Sequence, residues 1–383
     1  MKIAFVTNNF EPIISGITTS INSFYEPLSE RGHDIYIFAP EYPNYYDRNP
    51  NVQRVFSLKL YYKEKYPAPL ISSYKLAKAM RKLSIEVIHS HHPFGLGRTV
   101  LSAARKYLNI PIIFTYHTMY EEYSHYVPLP NKNYLKNYLK NSALDYTNNC
   151  DLVITPINAL KDLLLKRGCK KPIEVLPTGI TRDLTMFNDP LRCNKIKKKY
   201  GINHQNRVFL CVSRLAQEKN CEFLIESFSN VVYKLPKAKL LIVGTGPCES
   251  KLKHMVYRLG LSSKIIFIGS VPHSEIAAFY AIGEILLFVS QTDTQGLPLI
   301  ETLHFGLPIV AVKSMASKEL VGELNTGILT SDSKDEFAKA IIDLSDNYEL
   351  VKQYQSHNRE VAKKFHIDYL SNRLEDIYHK VLS

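Results

Sequence analysis

The chain has 383 residues, 45% of them hydrophobic and 22% charged, a globular balance that exceeds one ordinary core and suits two domains. No run of 18 apolar residues occurs, and the opening "MKIAFVTNNFEP" meets Asn, Glu and Pro too early for a signal peptide or a spanning helix, so a cytosolic protein is expected. Net charge is +12, which calls for an acidic partner, and the six cysteines lie scattered without C-x-x-C or zinc spacing, which points to free core thiols rather than disulfides or a metal site.

In chain order, "KIAFVT" (2–7) reads as a strand, followed by a polar turn with Gly16, a helix to about Arg31, Gly32 as its stop and the strand "DIYIFA". Further β-type runs follow at "VIHSH" (87–91), "IIFTYH" (112–117) and "LVITP" (152–156), with helical stretches between them. A basic connector, "LRCNKIKKKY" (191–200), precedes a second series: "VFLCVSR" (208–214), "KLLIVGTG" (239–246), "IIFIGSV" (265–271), "ILLFVSQ" (285–291) and "PIVAV" (308–312). Strand and helix in alternation mark parallel sheets covered on both faces. The fold expected is α/β, two doubly wound Rossmann-like domains, and in such sheets ligands bind outside the carboxyl ends of the strands.

Charge is unevenly spread. Residues 1–190 hold 23 Lys and Arg against 16 Asp and Glu, the connector adds five basic residues and no acid, and residues 201–383 hold 20 of each. The acidic partner is therefore expected on the first half, whether nucleic acid or an anionic membrane surface. A merely solvated basic face is the alternative.

The turns after the second set of strands carry chemistry. Arg214 ends one strand and Lys219 follows five residues on, two cations suited to one diphosphate. "VGTGP" ends another strand in two glycines, Gly244 and Gly246, which permit close backbone approach to a ligand or simply a tight turn. In "SQTDTQGLPLIETLHFGLPIV" (290–310), Pro298 suits a first helical position, so the N–H groups about Gln295, Gly296 and Leu297 form an anion site. Glu301, one turn into that helix, is placed to accept from vicinal hydroxyls such as those of a ribose, and Asp293 to do the same for a sugar. Taken singly, either acid also fits a helix start or a surface.

Taken together, Arg214/Lys219, "VGTGP", "FIGSVP" and D-x7-E around "QGLPLIE" resemble the retaining glycosyltransferases of the GT-B fold, family 4. Gly16, "HSHHPFGLG" (89–97), "TYHTMYEEY" (115–123) and "LPTGI" (176–180) match in order, so the resemblance spans essentially the whole chain. It implies two domains facing a central cleft: residues 1–190 for the acceptor and membrane, residues 191–367 for the nucleotide sugar, and a terminal helix, 368–383, crossing back to the first. It implies that Glu301 binds the nucleotide ribose, Arg214 and Lys219 the diphosphate, the backbone near Val271 the base, and the loop Thr294, Gln295, Gly296 and Leu297 the phosphates and sugar. Gly16 and Gly244 would flank the donor, and His117 would stand beside the transferred sugar. Asp293 replaces the Glu usual in the family. No D-x-D motif is present, so no metal cofactor is expected: two cations and helix N-termini would balance the leaving charge, and hinge closure would gate turnover.

The segments "KLYYKEKYPAPLISSYKLAKAMRKL" (59–83) and "NKNYLKNYLK" (131–140) interleave basic residues with Tyr and Leu, a composition suited to an anionic bilayer interface. Lys63, Lys65, Lys75, Lys78, Arg81, Lys82, Lys132, Lys136 and Lys140 are the expected membrane residues. "HTMYEEYSHYVP" resembles the corresponding stretch of diacylglycerol glucosyltransferases. The expected function is therefore transfer of glucose or galactose from a UDP-sugar to diacylglycerol, by a monotopic enzyme on the inner face of the cell membrane. Phosphatidylinositol, a polyprenyl-linked sugar or a soluble metabolite remain alternative acceptors, and a sugar-nucleotide epimerase an alternative activity. A nucleic-acid-binding protein would fit the charge, but no recognition motif accompanies it.

Overall fold

Runs of Ile, Val, Leu and Phe become the strands of two parallel sheets in the computed structural model, which describes residues 1–13, 15–59, 67–122 and 131–383. The chain divides into unit 1, Met1–Gly179 with Ile367–Ser383, and unit 2, Ile180–His366. Unit 1 contains β1 (Lys2–Val6), α1 (Gly16–Glu30), β2 (Asp34–Pro40), β3 (Val52–Val55), the antiparallel pair β4 (Ser57–Lys59) and β5 (Pro67–Pro69), α2 (Ser73–Lys82), β6 (Val87–Ser90) and α3 (Leu96–Ala103). It continues through β7 (Ile112–Thr115), α4 (Lys132–Asn149), β8 (Leu152–Thr155), α5 (Asn158–Lys166) and β9 (Ile173–Val175). Unit 2 runs through α6 (Arg182–Thr185), α7 (Pro190–Lys199), β10 (Arg207–Val212), α8 (Cys221–Lys234), β11 (Ala238–Val243), α9 (Glu249–Arg258), β12 (Ile265–Gly269) and α10 (His273–Ile282). It closes with β13 (Ile285–Phe288), α11 (Leu297–His304), β14 (Ile309–Val312), α12 (Met315–Ser317), β15 (Gly327–Thr330), α13 (Lys334–Asp346) and α14 (Tyr348–Ala362), after which α15 (Ile367–Leu382) belongs to unit 1.

The sheet of unit 1 has the order β3-β2-β1-β6-β7-β8-β9 and that of unit 2 the order β12-β11-β10-β13-β14-β15. Both are doubly wound, as expected. The central strands β6, β7, β8, β13 and β14 are buried at every residue, because helices cover both faces of each sheet. Strand order reverses between β1 and β6 and between β10 and β13, so each unit opens a crevice at the carboxyl ends of that pair.

Of the strands that periodicity does not reveal, β3 ("VQRV"), β9 ("IEV") and β15 ("GILT") lie at the edges of the two parallel sheets, where only one flank is paired and charged residues are tolerated. Two boundaries differ from expectation. The division falls after Gly179 rather than after residue 190, and the basic segment 191–200 is no connector. It forms α7 of unit 2, tied to α10 by Arg192 and Glu275 at 3.1 Å and by the Tyr200 and Phe279 rings. All six cysteines are free, four of them buried. Among the described residues no helix is long and apolar enough to cross a membrane.

Candidate active site

In unit 2 the loop after β10 carries Arg214 and Lys219, and the turn "VGTGP" after β11 is zipped against it. Ser213 N–H donates to Val243 O at 3.0 Å, Leu215 N–H to Thr245 O at 2.9 Å and Cys248 N–H to Leu215 O at 2.8 Å. A Cβ on Gly244, whose φ is +134°, would lie 2.0 Å from Ser213 O, and one on Gly246 2.4 Å from Leu215 O. These glycines thus answer to the neighbouring loop, whose backbone leaves no room for a side chain. They hold Arg214 at the strand end.

The turn after β13 brings Asp293 onto Lys219 as an ion pair, with 19% and 14% of the two side chains exposed. Cation and acid, assigned separately to diphosphate and sugar, meet each other in this structure. Thr294 and Gln295 are buried, Gly296 caps α11 with φ +71°, and the helix starts at Leu297, one residue ahead of Pro298. Val271 is half-buried where the chain passes from β12 to α10, and Gly16 is the first residue of α1 in unit 1.

Glu301 is 6% exposed and engaged on both oxygens. Tyr280, fully buried on α10, donates its hydroxyl to Oε2 at 2.6 Å, and His273 Nε2 lies 3.0 Å from Oε1. Burial, then the carboxylate itself, pushes the Tyr280 hydroxyl well above its usual pKa, so it stays a donor. A carboxylate offers about four lone-pair sites, so two remain for further donors on the same group. Neither Tyr280 nor His273 is found by reading motifs, since Tyr280 sits in an apolar helical run and His273 ends "SVPH".

His273 provides a pH test. Burial disfavours its charged form, but the Glu301 carboxylate, aided by Asp183, outweighs this and raises its pKa above 6.5. The protonated pair therefore contributes stability that is complete below about 6.5 and is lost as pH rises through the raised folded value. The His273 ring resonances are expected to titrate above 6.5 in the wild type and below it in Glu301→Gln, where burial dominates. A midpoint unmoved by that substitution would detach His273 from Glu301.

In unit 1 three histidines from the ends of β6 and β7 stack beside the switch point. The rings of His89 and His91 lie 4.4 Å apart at 25°, and those of His91 and His117 5.2 Å apart at 21°, with Phe5 set edge-on to His89 and His91. His89 is held by Tyr378 of α15 through Nδ1 at 2.7 Å and by Thr115 through Nε2 at 2.6 Å. His117 Nε2 lies 2.9 Å from His91 Nδ1. Burial pushes His89 down to about 3; burial and then the charges of His92 and His89 push His117 down to about 3 as well, so all stay neutral at physiological pH. A small cavity lined by these three rings, Thr115, Thr178 and Leu374 adjoins them. Elsewhere in "HSHHPFGLG", a Cβ on Gly97 would lie 1.8 Å from His92 O, and Asn8 Oδ1 accepts from Leu96 N–H at 2.9 Å to start α3. In "TYHTMYEEY", Glu121 pairs with Arg167 at 2.6 Å.

Residues 14–184 match the family model described as Glycosyltransferase Family 4, and residues 193–361 match that described as Glycosyl transferases group 1. The chain belongs to glycosyltransferase family 4. Among relatives of this family 4 glycosyltransferase, the α-monoglucosyldiacylglycerol synthase of Acholeplasma laidlawii is 29% identical over 95% of this chain and 93% of its own length. That of Streptococcus pneumoniae is 28% identical over 100% and 88%. The fold of HepE from Anabaena, solved with UDP-glucose, matches with a TM-score of 0.79 at 17% identity over 99% of this chain and 100% of that one. Both doubly wound domains are thus those of a GT-B glycosyltransferase.

Of the expected membrane residues, Lys75, Lys78, Arg81 and Lys82 are exposed on α2, while Leu76, Ala77 and Met80 bury its other face. Lys132 is exposed on α4, Lys140 is half-buried, and Lys136 lies 3.6 Å from Glu122. Lys63 and Lys65 lie outside the described residues. Among the described residues no group of three His, Cys, Asp or Glu converges as a metal ion would require.

Proposed function

We propose that this enzyme transfers a hexosyl group, glucose in the first instance, from a UDP-sugar to diacylglycerol at an anionic membrane surface, with retention. The observation that carries this reading is the near full-length likeness to two proteins named α-monoglucosyldiacylglycerol synthase. Unit 2 takes the donor: Glu301 accepts from the ribose hydroxyls with its two remaining lone-pair sites, Arg214 and Lys219 meet the diphosphate, and the backbone at Val271 meets the base. On donor binding Lys219 turns from Asp293 to phosphate, and Asp293 is released to the sugar hydroxyls. His117 acts on the transferred sugar. In the reaction the bond from C1 to the diphosphate oxygen breaks, the bond from C1 to the acceptor oxygen forms on the same face, and the acceptor proton passes to the leaving phosphate. Cations and helix N-termini balance the charge, so EDTA should leave activity intact.

Labelled UDP-glucose and UDP-galactose, offered with vesicles containing diacylglycerol, phosphatidylinositol or a polyprenyl-linked sugar and with soluble acceptors, test the assignment. Label should move from UDP-glucose into a diacylglycerol glycolipid; label in another product only would overturn it.

Membrane docking rests on α2, where Tyr74 is 59% exposed among the four basic residues. An interfacial Lys or Arg contributes about 1 kcal/mol at an anionic leaflet, an effect confined to roughly a Debye length. Reversing Lys75, Lys78 and Lys82 to Glu is expected to weaken binding to anionic vesicles by about a hundredfold, with UDP affinity unchanged. Undiminished vesicle binding would move the membrane face to α4.

A further inference from the structure

Beside the cavity of unit 1, His91 is 2% exposed, and its Nε2 has no hydrogen-bond partner among the described residues. Its other nitrogen, Nδ1, lies 2.9 Å from His117 Nε2. Two neutral imidazoles at that distance share one proton, and two arrangements are open. If His117 donates from Nε2, the His91 proton must sit on Nε2, an N–H buried without an acceptor. If His91 donates from Nδ1, the orphan is only a lone pair. Buried unpaired N–H groups are the rarer of the two in folded proteins. The second arrangement is therefore favoured, and it leaves the His117 proton on Nδ1.

We propose that His91 is a positioning residue for His117, its Nδ1–H locking that ring in one orientation and in the tautomer protonated on Nδ1. The lock has depth. His91 is stacked on His89, and His89 is held from both sides by Thr115 of β7 and Tyr378 of α15. Three layers of ring thus carry the last helix of the chain to the functional histidine. His117 then meets any group at its Nδ1 as a hydrogen-bond donor, suited to a hydroxyl oxygen and unsuited to a base's role there. Its importance for transfer rests on the reading of His117 given above.

The test uses full-length protein labelled with 15N in histidine, with the His117 signals assigned by their loss in His117→Gln. His91→Asn keeps a donor near the place of Nδ1; His91→Phe keeps a ring in the stack and removes the donor. The wild type and His91→Asn are expected to show His117 protonated on Nδ1, and His91→Phe to show it shifted toward Nε2–H. In parallel kcat should fall tenfold or more in His91→Phe, with KM for the donor within about threefold, and His91→Asn should recover most of the loss. An Nε2–H signal for His117 in the wild type, or an unchanged tautomer in His91→Phe, overturns the proposal. Full activity in His117→Gln overturns the role given to His117 instead, and the tautomer spectra still judge His91.

Discussion

Replacing Glu301 with alanine is expected to lower kcat/KM by about two orders of magnitude or more while the fold persists. The carboxylate is buried, and Tyr280 and His273 hold it so that its remaining lone pairs can meet a pair of hydroxyls. Hydrogen bonds to a charged group contribute about 1.5–3 kcal/mol each, and a tenfold change in rate corresponds to about 1.4 kcal/mol. Losing two such bonds to ribose therefore accounts for the expected loss. The same change also orphans the buried Tyr280 hydroxyl, at a stability cost of about 1–3 kcal/mol. Glu301→Ala combined with Tyr280→Phe should recover part of that stability and none of the activity. If the stability-corrected single variant turned over UDP-glucose at a near-normal kcat/KM, Glu301 would be a structural acid and the ribose site would lie elsewhere.

Lys219→Ala should weaken UDP by between tenfold and a hundredfold and uridine by no more than about threefold, because only the diphosphate carries charge for the ammonium to meet. The loss has a second source. Lys219 neutralises Asp293 in this structure, so its removal leaves that carboxylate without its cation, and under the proposed placement of the donor the carboxylate would repel the phosphates. Adding Asp293→Asn to Lys219→Ala should therefore restore part of the UDP affinity without restoring transfer, since Asp293 is assigned to the sugar. Arg214→Ala should show the same preference for loss of UDP over uridine. Calorimetric titration with both ligands decides the matter, and equal losses for the two would make the pair a structural one.

How legible these groups are depends on what holds them. The spacing of Asp293 and Glu301 about "QGLP", and the cations after β10, are read directly from the chain, because a strand end followed by a turn and a helix start is a local pattern. His273 and Tyr280 lie 28 and 21 residues before Glu301, on a different helix, and no spacing rule joins them to it. The Lys219 and Asp293 contact spans 74 residues, and it arises only because β10 and β13 are neighbours in the sheet. The glycines of "VGTGP" are visible as glycines, but the loop residues that exclude their side chains, Ser213 and Leu215, each lie 31 residues away.

The sequence by itself determined the alternation of strand and helix, and with it two doubly wound sheets whose fully buried strands read as short runs rich in Ile, Val, Leu and Phe. It determined the family as well, through motifs that each occupy one turn. Tertiary structure alone decided the edge strands β3, β9 and β15, the boundary at Gly179, the docking of the segment 191–200 as a helix of unit 2, and the joining of His89, Thr115 and Tyr378 beneath His91. The physical reason is range. Burial of a strand on both faces imposes its pattern within five residues, whereas the partner of a buried polar atom is set by strand order and by where a distant helix returns.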